Sequence, residues 1–262
     1  MTKKILITFD LEEFDLPLEY NLEISIDKQL EIGTNGLIIL LEILKKHSIK
    51  ATFFTTAFFA ESRPQLIKKI VKDGHELASH LYYHSDYNIE HIASSKHKLE
   101  EISGKKIYGI RSPRLRPLSL EEIEKSGYIY SSSLNPTFIP GRYNNFKKPR
   151  TIFYNNNRNL FIVPFSVSPI IRFPLFWLSF KNLPLTIYSF LCNRTLKKDK
   201  YLHLYFHPWE FSDLEEFKIP NFIKKIHGQK MTKKFELFIK KIKNKGNFIT
   251  IKEFLESNYN KK

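Results

Sequence analysis

The chain of 262 residues has almost no cysteine and no long apolar run, and each absence excludes a class of protein. A single cysteine, Cys192, rules out an internal disulfide and a zinc site built from several cysteines. No stretch of about 18 uncharged apolar residues exists, so no membrane span is predicted. No charged-then-apolar signal segment opens the sequence, because Met1-Thr-Lys-Lys runs directly into a strand, and we therefore expect a cytoplasmic protein.

Several functional motifs are also missing. The sequence has no Gly-x-Ser-x-Gly elbow, no phosphate-binding glycine loop and no dinucleotide glycine fingerprint. It has no recognisable nucleic-acid motif, so nucleic acid is not an expected partner. The formal net charge of +15 instead favours anionic partners such as sugar nucleotides, lipid pyrophosphates or an acidic membrane surface, with a solvated basic face as the plain alternative.

What is present predicts a large folded domain. Hydrophobic residues make up 42% of the chain and aromatic residues 15%, which excludes a disordered chain. Strands are predicted at 5–9, 51–55, 75–79, 107–110, 127–130, 201–206 and 248–251. Helices are predicted from an N-cap at 33–35 to about 47, and at 64–74, 89–102, 118–126 and 231–242. Such β-then-α alternation implies an α/β fold with a parallel sheet, either a barrel or open.

Residues 134–190 break this alternation. They hold seven of the 13 prolines and a stretch rich in Phe, Leu and Trp. We interpret them as an irregular insertion over the site within a single domain of residues 1–262, and not as a domain of their own. A loop of this segment that dips into a membrane surface is the alternative to ordinary core packing.

Carboxylates cluster directly after the first strand, at Asp10, Glu12, Glu13 and Asp15. Partial burial of these groups would raise their pKa values unless a cation neutralised them. His80 and His84 follow the third strand, and two imidazoles with a carboxylate are a common set of ligands for a catalytic divalent metal. The sequence therefore predicts a metal-dependent hydrolase.

The polar candidates share one position in the predicted fold. Asp10, Glu12, His80, Arg111 and His207 all lie at the C-terminal ends of predicted strands. Parallel barrels gather their catalytic groups at that end, so these side chains are expected to converge on one site.

Five motifs in this order resemble those of the polysaccharide deacetylases, carbohydrate esterase family four. They are Thr8-Phe-Asp-Leu-Glu-Glu13, Ala51-Thr-Phe-Phe54, Gly74-His-Glu-Leu-Ala-Ser-His-Leu-Tyr-Tyr-His84, Gly109-Ile-Arg-Ser-Pro113 and Tyr205-Phe-His-Pro-Trp-Glu210. The resemblance covers roughly residues 3–130 and 200–212. It implies a distorted (β/α) barrel and the metal-assisted hydrolysis of an N-acetyl or O-acetyl group on a sugar.

The resemblance also implies a metal site. Asp10 matches the catalytic base, which takes a proton from the attacking water. Glu12 resembles the metal carboxylate of members with an acid-x-acid motif, with Glu13 as the alternative, and His80 and His84 match the metal histidines. One divalent ion is implied, with zinc as the default and cobalt, nickel or iron as alternatives.

Further roles follow from the same motifs. Arg111 matches the arginine that orients the base, and His207 matches the histidine that protonates the leaving amine, although His203 lies on the same strand face. Arg114 replaces a tyrosine of the family, and its backbone N–H could still hold the oxyanion. Trp209 is a candidate for stacking on a sugar ring, as is Trp177.

The expected function is a carbohydrate N-deacetylase in the assembly of a surface glycan, acting on an acetylated sugar, a sugar nucleotide or a lipid-linked glycan. One alternative is a hydrolase of cyclic amides like the allantoinases of this superfamily, with or without a metal. A second alternative is a glycan-binding protein without catalytic activity.

Overall fold

The computed structural model describes residues 2–259, which form one curled sheet surrounded by helices. The strands are β1 Lys4–Leu11, β2 Thr52–Thr55, β3 Glu76–Ser79, β4 Gly109–Ile110, β5 Tyr130–Ser131, β6 Phe138–Ile139, β7 Tyr143–Asn144, β8 Phe153–Asn155, β9 Leu160–Ile162, β10 Tyr201–Phe206 and β11 Asn247–Phe248. The helices are α1 Ile26–Lys46, α2 Ala57–Ser62, α3 Pro64–Lys72, α4 His91–Ser103, α5 Leu120–Lys125, α6 Trp177–Asn182, α7 Leu185–Asp199, α8 Asn221–Lys224, α9 Gly228–Ile242 and α10 Ile251–Tyr259.

The main sheet follows the order β10-β1-β2-β3-β4-β5-β9-β8, with β11 also paired to β1. Neighbours from β10 to β9 are parallel, and β8 is antiparallel to β9. Beyond β9 the chain returns to β10, where Ser166 N donates to the His203 carbonyl over 2.9 Å. The curled sheet thus approaches a barrel, which confirms the predicted distorted (β/α) barrel class.

Helix α1 fixes one end of the barrel. Its apolar face buries Leu37, Leu40 and Leu44, and each such burial stabilises the fold by roughly 1.5–3 kcal/mol. The same helix carries Gly36, where a Cβ would overlap the carbonyl oxygen of Pro208. Pro208 opens the 3₁₀ turn Pro208–Phe211 that follows His207, so α1 supports the loop bearing this histidine.

Most of the predicted strands and helices are present in the structure, although many begin or end at different residues. The prediction of strand 201–206 matches β10. The N-cap predicted at 33–35 is wrong, because α1 begins at Ile26 and its cap is Ser25, whose Oγ accepts from Lys28 N over 3.3 Å. The strand predicted at 248–251 ends at Phe248, and a further helix, α10, follows it.

Residues 134–190 contribute both to the sheet and to its rim. Strands β8 and β9 extend the main sheet beyond β5, whereas β6 and β7 form a separate antiparallel hairpin. Among residues 2–259, no helix combines the length and the apolar character needed to cross a bilayer.

Candidate active site

Three side chains from two neighbouring strand ends meet in a potential metal centre. Glu12 follows β1, and His80 and His84 follow β3. Glu12 Oε2 lies 3.1 Å from His80 Nε2 and 3.2 Å from His84 Nε2. All three residues are buried, and one donor atom of each lies within 4.8 Å of the others. A carboxylate and two imidazoles that converge in this way fit a divalent ion with positions left open for other ligands.

Hydrogen bonds orient both imidazoles toward that point. His80 Nδ1 donates to the backbone carbonyl of Arg111 over 3.0 Å, and His84 Nδ1 donates to Asp15 Oδ1 over 2.7 Å. Because Nδ1 carries a proton in both rings, each Nε2 can offer its lone pair once it is deprotonated. Asp15 in turn accepts from Arg114 over 2.9 Å.

The charged groups in this cluster stabilise one another's ionised forms. Burial alone would raise the pKa of Glu12, but His84, His207 and His80 overcome that effect and lower it. Burial opposes a charge on His84 as well, yet Glu12 and Asp15 raise its pKa to about 9. The carboxylate form of Glu12 is therefore strongly favoured, as a metal ligand requires.

Glu13 points elsewhere. Its Oε2 accepts from Thr56 Oγ1 over 2.7 Å, and burial raises its pKa. Of the two glutamates offered by the sequence, Glu12 is the one that meets the imidazoles.

Asp10 forms an ion pair with Arg111 beside the cluster. The guanidinium is fully buried between the rings of Phe54, at 3.8 Å, and Phe165, at 4.5 Å. A further hydrogen bond runs from Arg111 to Thr8 Oγ1 over 2.9 Å. Arg111 is thus fixed on several sides, and it fixes the Asp10 carboxylate with it.

His207 also lies beside the cluster, with its Nε2 3.8 Å from Glu12 Oε1. Its Nδ1 donates to Glu210 Oε1 over 3.2 Å, and Glu210 Oε2 lies 3.2 Å from Lys181 Nζ. Burial would lower the pKa of His207, but Glu12 and Glu210 raise it above its usual value. A histidine held in this way can carry the proton that a leaving amine needs.

Sequence reasoning assigned no role to Glu210, the last residue of the fifth motif, and did not single out Lys181. Glu210 stands three residues after His207, the spacing at which a side chain turns back to the start of a short helix, and its Oε1 also accepts from His207 N over 2.7 Å. That spacing is the sequence feature that could have predicted the contact between Glu210 and His207. Lys181 comes from α6, and no local pattern connects it to this loop.

His203 lies deeper and does not line the pocket described below. Its Nε2 accepts from Arg111 over 3.2 Å, and its Nδ1 donates to the Pro164 carbonyl over 2.9 Å. Burial and the charge of Arg111 lower its pKa to about 3. Of the two histidines, His207, directly after β10, is the one that lies beside Glu12.

The two candidate substrate-binding residues have partners of their own. Arg114 has a left-handed backbone, with φ 54°, and its side chain pairs with Asp15 and with Glu19 at 2.8 Å. Trp209 is only 3% exposed, stacks on His207 at 4.8 Å and donates from Nε1 to Glu12 Oε1 over 3.2 Å. These contacts make Trp209 a positioning residue, and its contact with a sugar remains a prediction.

A cavity of about 460 Å³, the active-site pocket, opens from these residues. Asp10, Glu12, His80, His84 and His207 lie in its wall. The opposite wall comes from residues 134–190 and includes Arg142, Tyr143, Phe176 and Trp177. The pocket thus combines convergent polar groups with aromatic walls, as small-molecule sites do.

Comparison with known proteins agrees with this geometry. The family model for polysaccharide deacetylase matches residues 2–122. Over these residues the chain is similar to the polysaccharide deacetylases. It is 30% identical over 118 residues to the peptidoglycan-N-acetylmuramic acid deacetylase PdaA of Bacillus subtilis, a match that covers 41% of this chain and 44% of the relative. It is 46% identical over 46 residues to a chitooligosaccharide deacetylase of Sinorhizobium fredii, covering 18% of this chain and 21% of the relative.

Matches to the curated relatives are partial, whereas the similarity to solved structures spans nearly the whole chain. The first two curated relatives are covered over 33% and 44% of their lengths. A polysaccharide-deacetylase-like protein from Mycobacterium smegmatis aligns with a TM-score of 0.66 and 17% identity, over 98% of this chain and 91% of that one. A family pseudoenzyme from Bacillus anthracis aligns with a TM-score of 0.54 and 15% identity, over 97% and 66%. At sequence identities this low, the structural alignments show a shared fold and nothing beyond it.

Proposed function

We propose that this protein is a metal-dependent hydrolase that removes the acetyl group from an N-acetylated sugar. The observation that carries the proposal is that one pocket holds the Glu12–His80–His84 cluster together with a carboxylate fixed by an ion pair, Asp10, and an imidazole fixed by a hydrogen bond, His207. Two groups of opposite proton-transfer role on either side of an amide are what its hydrolysis requires. The names of the curated relatives, which include deacetylases of peptidoglycan and chitooligosaccharides, support the same class of substrate.

Glu12, His80 and His84 would hold the metal ion. When bound, the ion would act as a Lewis acid that polarises the acetyl carbonyl and lowers the pKa of water. Asp10 accepts a proton from the attacking water, and its ion pair with Arg111 holds the carboxylate in a fixed orientation. His207, hydrogen-bonded to Glu210, donates a proton to the nitrogen of the leaving amine as the carbon–nitrogen bond breaks. The products are acetate and a free amino sugar.

The proposal is tested by acetate release. Protein would be stripped of metal, reloaded with zinc, cobalt, nickel or iron(II), and incubated with N-acetylglucosamine oligomers, muramic acid-containing glycan fragments and a nucleotide-linked N-acetylhexosamine. We expect turnover only after reloading, and about one metal ion per chain that His80→Ala loses. The exposed His97→Ala on α4 is the matched control. Full turnover by metal-free protein would contradict the metal mechanism.

Two other functions share this fold. An allantoinase aligns with a TM-score of 0.64 and 14% identity, covering 98% of this chain and 91% of that one, so cyclic ureides and imides belong in the same substrate screen. A protein without activity would bind glycans yet release no acetate when loaded with metal. The complete set of base, acid and metal-binding groups favours the deacetylase.

A part in surface glycan assembly, with a sugar nucleotide or lipid-linked substrate in the cytoplasm, belongs to the same proposal. Cell fractionation tests the location. A comparison of free, nucleotide-linked and lipid-linked N-acetylated sugars at equal concentration tests the carrier. Preference for a secreted polymer would contradict this part while leaving the reaction itself intact.

A further inference from the structure

The positive charge of this protein is concentrated in one part of the chain. Residues 125–198 contain 11 lysines and arginines and no aspartate or glutamate, so this stretch carries +11 of the formal charge of +15. The other 188 residues hold 31 basic and 27 acidic residues and are nearly balanced. Four of the 11 basic residues pair with acidic residues outside the stretch, and the other seven, which include Lys147, Lys148 and Arg172, leave it with a local excess of positive charge.

Large apolar side chains project from the same segment. Phe138 is 53% exposed, Phe146 44%, Ile170 75% and Ile171 70%. Exposed apolar residues on a surface that faces only water are usually single and scattered. Two adjacent isoleucines with this exposure are therefore unusual there. Lys147 and Lys148, both exposed, stand beside Phe146.

These residues form one surface. Arg172 joins the two segments, since its Nη1 donates to the Lys148 carbonyl over 2.7 Å and its own carbonyl accepts from Thr137 Oγ1 over 2.7 Å. Its guanidinium also lies 5.1 Å from the ring of Phe146. We define the rim patch as Phe138, Phe146, Lys147, Lys148, Ile170 and Ile171; Phe138, Phe146, Lys147 and Ile171 line a common depression.

The rim patch adjoins the active-site pocket. Phe138 belongs to the β6–β7 hairpin, and the same hairpin supplies Ile139, Arg142 and Tyr143 to the pocket wall. Whatever binds the rim patch therefore lies next to the place where a substrate enters.

We propose that the rim patch binds the surface of an anionic lipid bilayer. Exposed isoleucine and phenylalanine side chains can enter the interface, while lysines beside them and a segment without acidic residues meet anionic headgroups. A second copy of the chain fits less well, since the lysines of two rim patches would repel each other. A nucleic acid would use the charge and leave the isoleucines unpartnered. Bilayer binding stands apart from the proposed hydrolysis and would bring the pocket to lipid-linked sugars.

The test is sedimentation of the full chain with vesicles of phosphatidylcholine, with and without phosphatidylglycerol. We expect binding to the anionic vesicles that falls at high salt, and a loss of about tenfold or more in partitioning for Ile170→Ser/Ile171→Ser. The control Ile38→Ser/Leu237→Ser changes two side chains of 45% and 52% exposure on α1 and α9 and should bind like the unchanged protein. Lys147→Gln/Lys148→Gln should weaken binding more than Lys240→Gln/Lys241→Gln, a pair exposed on α9.

Absence of binding to anionic vesicles would overturn the proposal, as would equal losses in the rim-patch and control variants. Binding to an oligonucleotide that the isoleucine variant leaves unchanged, without vesicle binding, would assign the charge to a nucleic acid instead. Acetate release from a soluble substrate, measured in all four variants, is expected to stay unchanged, which separates this proposal from the proposed hydrolysis.

Discussion

Trp209 Nε1 donates a hydrogen bond to Glu12 Oε1 over 3.2 Å, while the other oxygen of the same carboxylate faces two imidazoles. The indole thus fixes the orientation of the carboxylate that we propose as a metal ligand. We expect Trp209→Phe to keep the ring packing and to weaken metal affinity about 10–100-fold, the usual effect of losing such a partner. Competition with a chromophoric chelator measures this affinity. Trp177→Phe, which alters a neighbouring indole, should leave it unchanged.

The two adjacent glutamates should behave differently. Glu12→Gln removes the carboxylate that meets His80 and His84, so the purified variant should contain little metal and release no acetate. Glu13→Gln replaces a group bonded to Thr56 and should retain about one ion per chain. Elemental analysis distinguishes the two variants, and the reverse outcome would move the ligand assignment to Glu13.

Asp10 is expected to act in proton transfer and not in metal binding. Asp10→Asn should lower kcat by about 10²–10⁴ while the metal content stays the same. The measurement pairs steady-state acetate release with elemental analysis of the same sample. Asp86→Asn, an exposed change in the loop after His84, is the control. Loss of metal in Asp10→Asn would show that this carboxylate is a ligand.

The buried Lys181–Glu210 pair should contribute to stability only as a pair. Lys181→Met leaves the Glu210 carboxylate buried without its cation, and we expect a loss of about 3–5 kcal/mol in the free energy of unfolding. Lys181→Met/Glu210→Gln should recover part of that loss, because no unpaired charge remains. The surface variant Lys46→Met, which breaks a pair with Glu236, should cost at most about 1 kcal/mol. Urea unfolding of the four proteins gives the comparison.

His203 should make the fold sensitive to acid. Burial and Arg111 lower its pKa from 6.5 to about 3, so its stabilising effect is complete above pH 6.5 and is lost as the pH falls from 6.5 toward 3. Between about pH 7 and about pH 5, His203→Gln should therefore lose about 1–2 kcal/mol less than the unchanged protein. His97→Gln, at an exposed position of α4, should follow the unchanged protein. Identical pH dependence in all three proteins would contradict this role.

Much of the fold was predictable because strands and turns are encoded locally. The run Tyr201–Phe206 is apolar or aromatic except for His203 and is followed by His207-Pro208, so both ends of the strand could be predicted. The start of α1 was not, since Gly33 and Gly36 look like helix boundaries but lie inside the helix where it packs closely on neighbouring segments. Glycine marks close packing as well as turns, and only the tertiary structure tells the two apart.

In the candidate site, too, some features could be predicted from the local sequence and others could not. Glu12, His80 and His84 could be singled out because their types and their places after strands restrict the chemistry. The contact between Lys181 and Glu210 could not, because it joins α6 to the turn after β10 across the core. Residues that form such long-range ion pairs show no recognisable spacing in the sequence. The same applies to the hydrogen bond between Trp209 and Glu12.

Gly36 gives this site a hidden dependence on a distant part of the chain. A methyl group there would overlap the carbonyl oxygen of Pro208, the residue after His207, so we expect Gly36→Ala to displace this histidine. A chain with that change would keep each proposed acid, base and metal-binding residue in its sequence, and we expect it to have lost the proposed activity. A search by motif would count it among the enzymes.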